Sequence, residues 1–187
     1  IYSIDATYTI NDSIVLISTS RFAGTTTDEV NDAMKKLRKR GLKHLIIDLT
    51  DNGGGYLRPS TEIANKFLNK GDLIVYTDSP KNGPARYEAT SNGDFLDGRV
   101  VVMVNQFSAS ASEILSGALQ DNDRGVIVGR RTFGKGLVQR PFPFPDGSMI
   151  RLTVSRYHTP SGRCIQKPYT DGDDEDYHMD MVNRYQS

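Results

Sequence analysis

Cysteine is nearly absent from this sequence of 187 residues, which contains only Cys164. A single thiol excludes a disulfide within the chain and any metal site built from several cysteines. An excess of charge of either sign is also absent, because 23 Lys and Arg residues are balanced by 23 Asp and Glu residues. A binder of nucleic acid or of anionic membranes needs a basic excess for its phosphate contacts. We therefore expect no nucleic-acid partner.

Long apolar runs are missing as well. The longest run, Val100–Val104, is far shorter than the roughly 20 residues that cross a bilayer, so we expect no membrane span. The chain starts at Ile1 with neither Met nor a basic and apolar leader, and we interpret it as a processed or excised chain. Its 37% of hydrophobic residues is enough to fill one core, or at most two.

Short β-branched runs alternate with longer stretches of helical spacing, which predicts an α/β fold. Thr26 and Glu29 have the separation of a capping box, and Gly41 stands where the first helix should end. A second helix is predicted with Pro59 in its first turn, and a third over residues 110–119. The predicted strands cover residues 14–17, 44–49, 73–77, 86–90, 99–104 and 126–128.

The last third of the chain has a different character. Residues 137–144 and 149–156 flank a Pro-Asp-Gly-Ser turn and predict a β-hairpin. We assign residues 1–166 to one core and residues 167–187 to a peripheral extension with a short terminal helix. The extension contains an acidic run at residues 171–176, which we interpret as solvated surface rather than a metal site.

Residues 129–136, Gly-Arg-Arg-Thr-Phe-Gly-Lys-Gly, have the spacing of a phosphate-binding loop that follows a strand. Such a loop needs Ser or Thr after the lysine and then a helix, whereas here Gly136 and three prolines follow. A nucleotide-binding enzyme is therefore the least favoured interpretation. What remains is Lys135 between two glycines, with little backbone bulk beside its amine.

Residues 107–113, Phe-Ser-Ala-Ser-Ala-Ser-Glu, join the most apolar strand to the third helix. Ser110 and Glu113 match a capping box, so Ser110 could simply cap the helix. The same geometry would present the Ser110 hydroxyl above the helix N-terminus, where backbone N–H groups can stabilise an oxyanion. The local sequence does not choose between a cap and a nucleophile.

Three glycines, residues 53–55, follow the strand at residues 44–49. They form either a flexible turn or a close approach of the backbone to a reaction centre, because no β-carbon shields their N–H groups. The histidines suit no catalytic triad, so a serine and lysine dyad is the leading chemical hypothesis. We interpret these histidines as structural or surface residues: His44, His158 and His178.

Several motifs of this sequence occur together in one known family. They are the Asn-Gln-Phe-Ser-Ala-Ser-Ala-Ser-Glu-Ile run at 105–114, Gly-Ala-Leu-Gln-Asp at 117–121, Thr-Phe-Gly-Lys-Gly at 132–136, Val-Gln at 138–139, and Tyr-His-Thr-Pro-Ser-Gly-Arg at 157–163. With these motifs the chain resembles the carboxyl-terminal processing proteases, also called tail-specific proteases, over residues 14–166. The resemblance implies a crotonase- and Clp-protease-like α/β core of mixed sheets and helices with a C-terminal β-hairpin region.

The resemblance also implies a serine endopeptidase that cleaves peptide bonds near protein C-termini through an acyl-enzyme. The implied nucleophile is Ser110, the implied general base is Lys135, and Gln139 supports the lysine. No cofactor or metal ion is implied, and the implied location is extracytoplasmic, in the periplasm or cell envelope. A catalytically inactive peptide-binding module of the same fold is the alternative.

The oxyanion hole implied by the resemblance consists of backbone N–H groups of Gly53 or Gly54 and of Ala111. The sequence departs from the family pattern at Thr50, where the glycine loop of the family has an arginine, and after Gln166, where a Gly-Ile-x-Pro-Asp ending is missing. Family members also have a PDZ domain that captures substrate tails. Because none fits before residue 14, we expect it in the full-length chain.

A lysine that acts as a general base must be neutral, whereas an ordinary lysine is protonated in nearly every molecule at pH 7. We therefore expect apolar neighbours to shield Lys135 from water. If residues 135–139 are extended, Gln139 lies on the same face as the lysine. Its amide oxygen can then accept a hydrogen bond from the amine without adding a negative charge.

Overall fold

A computed structural model of the protein describes residues 2–41, 43–79, 83–168 and 179–180. Within these ranges strands and helices alternate along most of the chain. Their order is β1 (Ile4–Thr9), β2 (Ile14–Thr19), α1 (Thr26–Arg38), β3 (His44–Asp48), α2 (Leu57–Asn65), β4 (Leu73–Asp78), β5 (Ala85–Glu88), β6 (Val100–Val104), α3 (Ala111–Asp121), β7 (Val126–Gly129), β8 (Leu137–Pro143) and β9 (Met149–His158).

The larger sheet has the strand order β1-β2-β3-β6-β7. Its last four strands are parallel, and β1 runs antiparallel to β2 at the edge. Alternate residues of β3 and β6 are buried, and α2 packs against both α1 and α3. The core therefore lies between this sheet and the helices, as expected of an α/β layer.

The smaller sheet is antiparallel, with the order β5-β4-β9-β8. Its strands β8 and β9 form the predicted hairpin. Strand β4 packs against α3, the helix at the end of the serine run (residues 107–113). This helix therefore connects the two sheets. No helix in the described part of the chain is long and apolar enough to cross a membrane.

Parallel pairing of β3 with β6 decides where the candidate site forms. Asp48 at the end of β3 lies opposite Met103 near the end of β6. Because both strands run in the same direction, the glycine loop after β3 and the serine run after β6 leave the sheet side by side. Loops at the carboxyl ends of parallel strands are the usual place for binding sites in α/β sheets.

The mixed α/β fold and its central helices agree with the sequence prediction. The edge strand β1 was not predicted, because none of its residues is buried and it therefore lacks an alternating apolar pattern. Its position comes from pairing with β2, which only the folded chain provides. Residues 171–176, His178 and most of the predicted terminal helix lie outside the described residues; residues 179–180 are helical.

Candidate active site

Three serines at alternate positions lead into α3, and the structure treats the middle one differently. Ser108 and Ser112 are fully buried. The Ser108 hydroxyl donates to the Leu49 carbonyl at 2.7 Å, and the Ser112 hydroxyl donates to the Asn52 carbonyl at 2.9 Å. Ser110 is half-buried, and no described residue accepts a hydrogen bond from its hydroxyl. The outer serines therefore hold the junction together, whereas the Ser110 oxygen takes part in the helix cap and its proton is donated to none of the described residues.

The backbone of Ser110 is strained. Its φ of 57° and ψ of −111° are unusual for a residue with a side chain, and such conformations cost about 1–3 kcal/mol and collect at functional sites. The Glu113 carboxylate accepts the Ser110 N–H at 2.8 Å, and the Ser110 side chain faces the Glu113 N–H in return, so both halves of the predicted capping box are present. The position of Ser110 at the start of α3 is thus compatible with both a cap and a nucleophile.

Asn52 ties the glycine loop to the serine run. It is fully buried, and its side-chain amide donates to the Thr19 carbonyl at 2.7 Å. Its own carbonyl accepts both the Ala109 N–H at 3.0 Å and the Ser112 hydroxyl. Sequence reasoning missed this residue, because an Asn before glycines signals only a turn and its partners lie far along the chain.

Gly54 makes the close approach that the glycine run allowed. Its φ is +97°, and a β-carbon on it would lie 2.6 Å from the Ala109 carbonyl oxygen and 2.8 Å from Cβ of Ser110. The same atom would lie 2.9 Å from the Ala111 nitrogen. A glycine is therefore required here, and the glycine loop is in contact with the serine run rather than forming an independent flexible turn.

Two backbone donors near Ser110 have no acceptor among the described residues. The Gly54 N–H donates to Oδ1 of Asn52 at 2.9 Å. By contrast, the N–H groups of Gly53 and Ala111 donate to none of the residues that the structure describes. Ala111 is the first residue of α3, where the helix dipole favours negative charge.

A Gly54→Ala substitution tests this contact. The added methyl group must displace either the glycine loop or Ser110, since every atom it meets is backbone or Cβ. For the peptide hydrolysis that the resemblance implies, we expect the rate to fall by at least about 100-fold, since small misplacements in a site have effects of that size. Assays beside Gly71→Ala, also at positive φ but with open space around it, provide the control. Equal activity of the two variants would contradict the contact.

The segment that carries Lys135, residues 132–136 and called the lysine loop below, is anchored at the start of α3. The Gly134 N–H donates to Oε1 of Glu113 at 2.6 Å, and the Lys135 N–H donates to Oε2 at 2.8 Å. The Phe133 N–H donates to the Ser108 carbonyl at 3.0 Å. The chain then continues into β8 and not into a helix, so this segment lacks the geometry of a phosphate-binding loop.

The side chain of Lys135 is exposed in this structure, so the expected shielding from water is wrong for this state of the molecule. The Lys135 N–H is held by Glu113, but the residue as a whole is exposed to solvent. Within the described ranges no hydrogen bond joins the Lys135 amine to the Ser110 hydroxyl or to Gln139. The structure therefore brings together the backbones of the implied dyad and not its reacting atoms.

Gln139 is exposed as well, and it lies opposite Thr153 in the β8–β9 hairpin. The pairing changes register between Val138 and Gln139. Lys135 precedes β8, so the expected alternation over residues 135–139 does not hold along its whole length. Because Lys135 lies before β8 and the pairing shifts just before Gln139, a strand pattern alone could not place the two side chains on one face.

Thr50 satisfies its own turn. Its hydroxyl and its N–H donate to Oδ1 of Asp48, at 2.7 and 2.9 Å. Thr50 therefore forms a local turn at the end of β3, at the position where the family pattern has an arginine.

The histidines that the structure describes have other partners. His44 accepts the Arg99 N–H at 3.2 Å, and the His158 ring stacks on Tyr76 with the centroids 4.9 Å apart. Among the described residues, no group of three or more His, Cys, Asp or Glu side chains could hold a metal ion.

This arrangement of serine run, glycine loop and lysine loop coincides with a family match. Residues 13–177 match peptidase family S41. The chain belongs to this family. The match agrees with the resemblance seen in the motifs, and homologues of the chain are named as serine or carboxyl-terminal processing proteases.

Individual relatives give the same result. The chain is 40% identical over 156 residues to a carboxyl-terminal-processing protease of Picosynechococcus sp., which covers 83% of this chain and 37% of the relative. It is 40% identical over 148 residues to the chloroplastic C-terminal processing peptidase of Tetradesmus obliquus, covering 78% of this chain and 31% of that relative. The chain thus spans about a third of the length of these S41 relatives.

A solved structure confirms the S41 fold. The photosystem II D1 C-terminal processing protease superposes with a TM-score of 0.76 at 37% sequence identity. The superposition covers 82% of this chain and 39% of the other. The mixed sheets and helices described above are therefore those of an S41 peptidase.

Proposed function

We propose that this chain is the catalytic core of a serine endopeptidase that cleaves peptide bonds near protein C-termini. The observation that carries the proposal is the state of Ser110. Of three serines in the run, Ser110 alone combines strained backbone, partial exposure and a hydroxyl that donates to no described residue. It also contacts the glycine loop through Gly54. A merely structural serine would resemble Ser108 or Ser112, whose hydroxyls are consumed by backbone carbonyls.

In the proposed reaction a neutral Lys135 amine removes the hydroxyl proton of Ser110 as the oxygen attacks the peptide carbonyl. The C–O bond forms and the carbonyl becomes an oxyanion. The oxyanion then re-forms the carbonyl as the C–N bond breaks, and the protonated lysine gives its proton to the departing amine. Water hydrolyses the acyl-enzyme by the same sequence, with Lys135 as the base. The chemistry needs no metal ion or organic cofactor.

Backbone N–H groups of Gly53 or Gly54 and of Ala111 would hold the oxyanion. Their support is positional, because the glycine loop touches the serine run at Gly54 and Ala111 opens α3. The N–H groups of Gly53 and Ala111 donate to none of the described residues, so they would lose no such hydrogen bond on binding the oxyanion. Donors that are already oriented cost no reorganisation when charge develops in the transition state.

Closure of the dyad accompanies substrate binding in this proposal. The backbone of Lys135 is already fixed through Glu113, so only its flexible side chain has to turn toward Ser110. A bound peptide would cover the exposed amine and remove water from it, which favours the neutral form. Catalytic hydrogen bonds are often absent before substrate binds and form only in the complex.

Gln139 is proposed to accept a hydrogen bond from the amine in that closed state. A Gln139→Glu variant would place a carboxylate there, which stabilises the protonated amine, and we expect the rising limb of activity to move up by at least about one pH unit. Gln139→Ala removes the amide without adding charge, and we expect a lower rate with no upward movement. pH profiles of kcat for both variants check this. An unmoved profile for Gln139→Glu would remove Gln139 from the mechanism.

The proposed substrates are proteins or peptides with accessible C-terminal tails, since relatives are named as carboxyl-terminal processing proteases. An extracytoplasmic location is part of the same proposal. Because the chain spans about a third of its relatives, we also propose that a PDZ domain in a longer form of the protein delivers the tail. Residues 1–166 would then be the catalytic core and residues 167–187 a peripheral extension.

An inactive peptide-binding module is the competing function, and the missing bond between the Lys135 amine and Ser110 favours it. Intact-mass analysis after mixing with a peptide ester separates the two. The peptidase forms an acyl-enzyme on Ser110 and releases the alcohol, whereas a binding module retains the peptide with no change in protein mass. The longer form of the protein is tested in parallel. This separates a core that needs the rest of the protein for activity from a core that has no catalytic activity at all.

A further inference from the structure

Glu113 contacts both halves of the proposed dyad. Its carboxylate accepts three backbone N–H groups: from Ser110 at 2.8 Å, from Gly134 at 2.6 Å and from Lys135 at 2.8 Å. The first donor belongs to the serine run, and the other two belong to the lysine loop. One side chain thus joins two segments that lie more than 20 residues apart in sequence.

We infer that Glu113 is the positioning residue of this site, which fixes the backbone of the lysine loop against the backbone of the nucleophile. The inference rests on the proposed function of Ser110 and Lys135. Glu113 does not touch the substrate in this account. It acts by keeping the origin of the lysine side chain within reach of the serine hydroxyl.

A helix cap alone does not explain these contacts. A capping box consists of only two reciprocal bonds, one from the Ser110 N–H to the Glu113 carboxylate and one from the Glu113 N–H to the Ser110 side chain. The two bonds to the lysine loop are additional, and they use both oxygens of a carboxylate that is only 5% exposed. Burial of a carboxylate is costly unless donors surround it, so the three N–H groups and the N-terminus of α3 are what make this position possible for an anion.

The chain offers a matched control in Glu29. This carboxylate lies in the first turn of α1 and accepts the N–H groups of Ser3 and Ile4 at 2.8 and 3.0 Å. It also joins a helix start to a distant segment, but that segment is β1 and not the lysine loop. Glu29→Gln and Glu113→Gln therefore make the same chemical change at the same kind of junction.

The test compares kcat and KM for peptide hydrolysis by the two variants and the unmodified protein. Gln has only one acceptor oxygen, so Glu113→Gln leaves at least one N–H of the junction without a partner. We expect kcat to fall at least about 10-fold, with KM within about threefold, because the ground-state contacts with substrate are intact. Glu29→Gln should keep kcat within about twofold. An equal fall of kcat in both variants would overturn the inference. So would a rise in KM for Glu113→Gln with kcat unchanged.

Amide hydrogen exchange gives a readout that needs no catalysis. Exchange at Gly134 and Lys135 should accelerate at least about 10-fold in Glu113→Gln and stay unchanged in Glu29→Gln. If Glu113→Gln fails to fold, Glu113→Asp replaces it, since a side chain shorter by about 1.5 Å cannot span both segments. Unchanged exchange would overturn the anchoring. If the unmodified protein hydrolyses no peptide, the proposed function fails, and the anchoring is still decided by the exchange rates.

Discussion

Ser110→Ala is expected to abolish peptide hydrolysis, lowering kcat by a factor of about 10⁴ or more, as removal of a nucleophile does in other serine peptidases. Stability should change by about 1 kcal/mol, because the substitution removes the side-chain half of the helix cap and keeps the bond from the backbone N–H of residue 110 to Glu113. Initial rates and thermal unfolding of the same preparation measure both quantities. Retained activity with a loss above about 2 kcal/mol would instead make Ser110 a helix cap.

The neighbouring serines are the matched controls for this experiment. Ser108→Ala and Ser112→Ala each remove a buried hydroxyl–carbonyl hydrogen bond, but the Leu49 and Asn52 carbonyls keep backbone donors, so we expect each variant to lose about 0.5–1.5 kcal/mol of stability. The folded fraction of each variant should still form an acyl-enzyme. Loss of the acyl-enzyme in Ser112→Ala together with its persistence in Ser110→Ala would show that the nucleophile is Ser112 and not Ser110.

Lys135→Ala is expected to be as inactive as Ser110→Ala, because a serine without a base is a weak nucleophile at neutral pH. Lys135 is exposed, so its removal should change the free energy of unfolding by no more than about 0.5 kcal/mol. Lys135→Arg should be equally inactive, since a guanidinium keeps the positive charge but cannot give up its proton. Steady-state rates across pH 6 to about 10 check all three variants together.

Lys36→Arg on the exposed side of α1 is the control for the arginine substitution, and its activity should equal that of the unmodified protein. Substantial activity in Lys135→Arg would show that the residue contributes only its charge. In that case the general base would have to be another group, and the serine and lysine dyad would be withdrawn.

Much of the fold could be predicted from the sequence, because its central elements have strong apolar patterns. In helix α1 and strand β6 the fully buried positions recur at the period of each structure. Strand β1 could not be found this way, since it has no buried residue and is held by pairing with β2. Edge elements of this kind depend on contacts between distant segments, which a local pattern does not contain.

In the candidate site, too, local motifs were predictable, whereas contacts between distant segments were not. The motifs indicated Ser110 and Lys135, and the glycine run suggested a close backbone approach that Gly54 makes. The roles of Asn52 and Glu113 were not predictable in full, because their partners come from other loops. The exposure of Lys135 was also unpredictable, since it depends on what covers the loop and not on the loop itself.

The most direct test of the account is one distance in a crystal structure of the protein bound to a peptide boronate. We predict a covalent bond from boron to Oγ of Ser110 and a separation of about 3 Å between that oxygen and the Lys135 amine. A boronate attached to Ser110 with the lysine amine still in solvent, or attached to another residue, would contradict the proposed dyad.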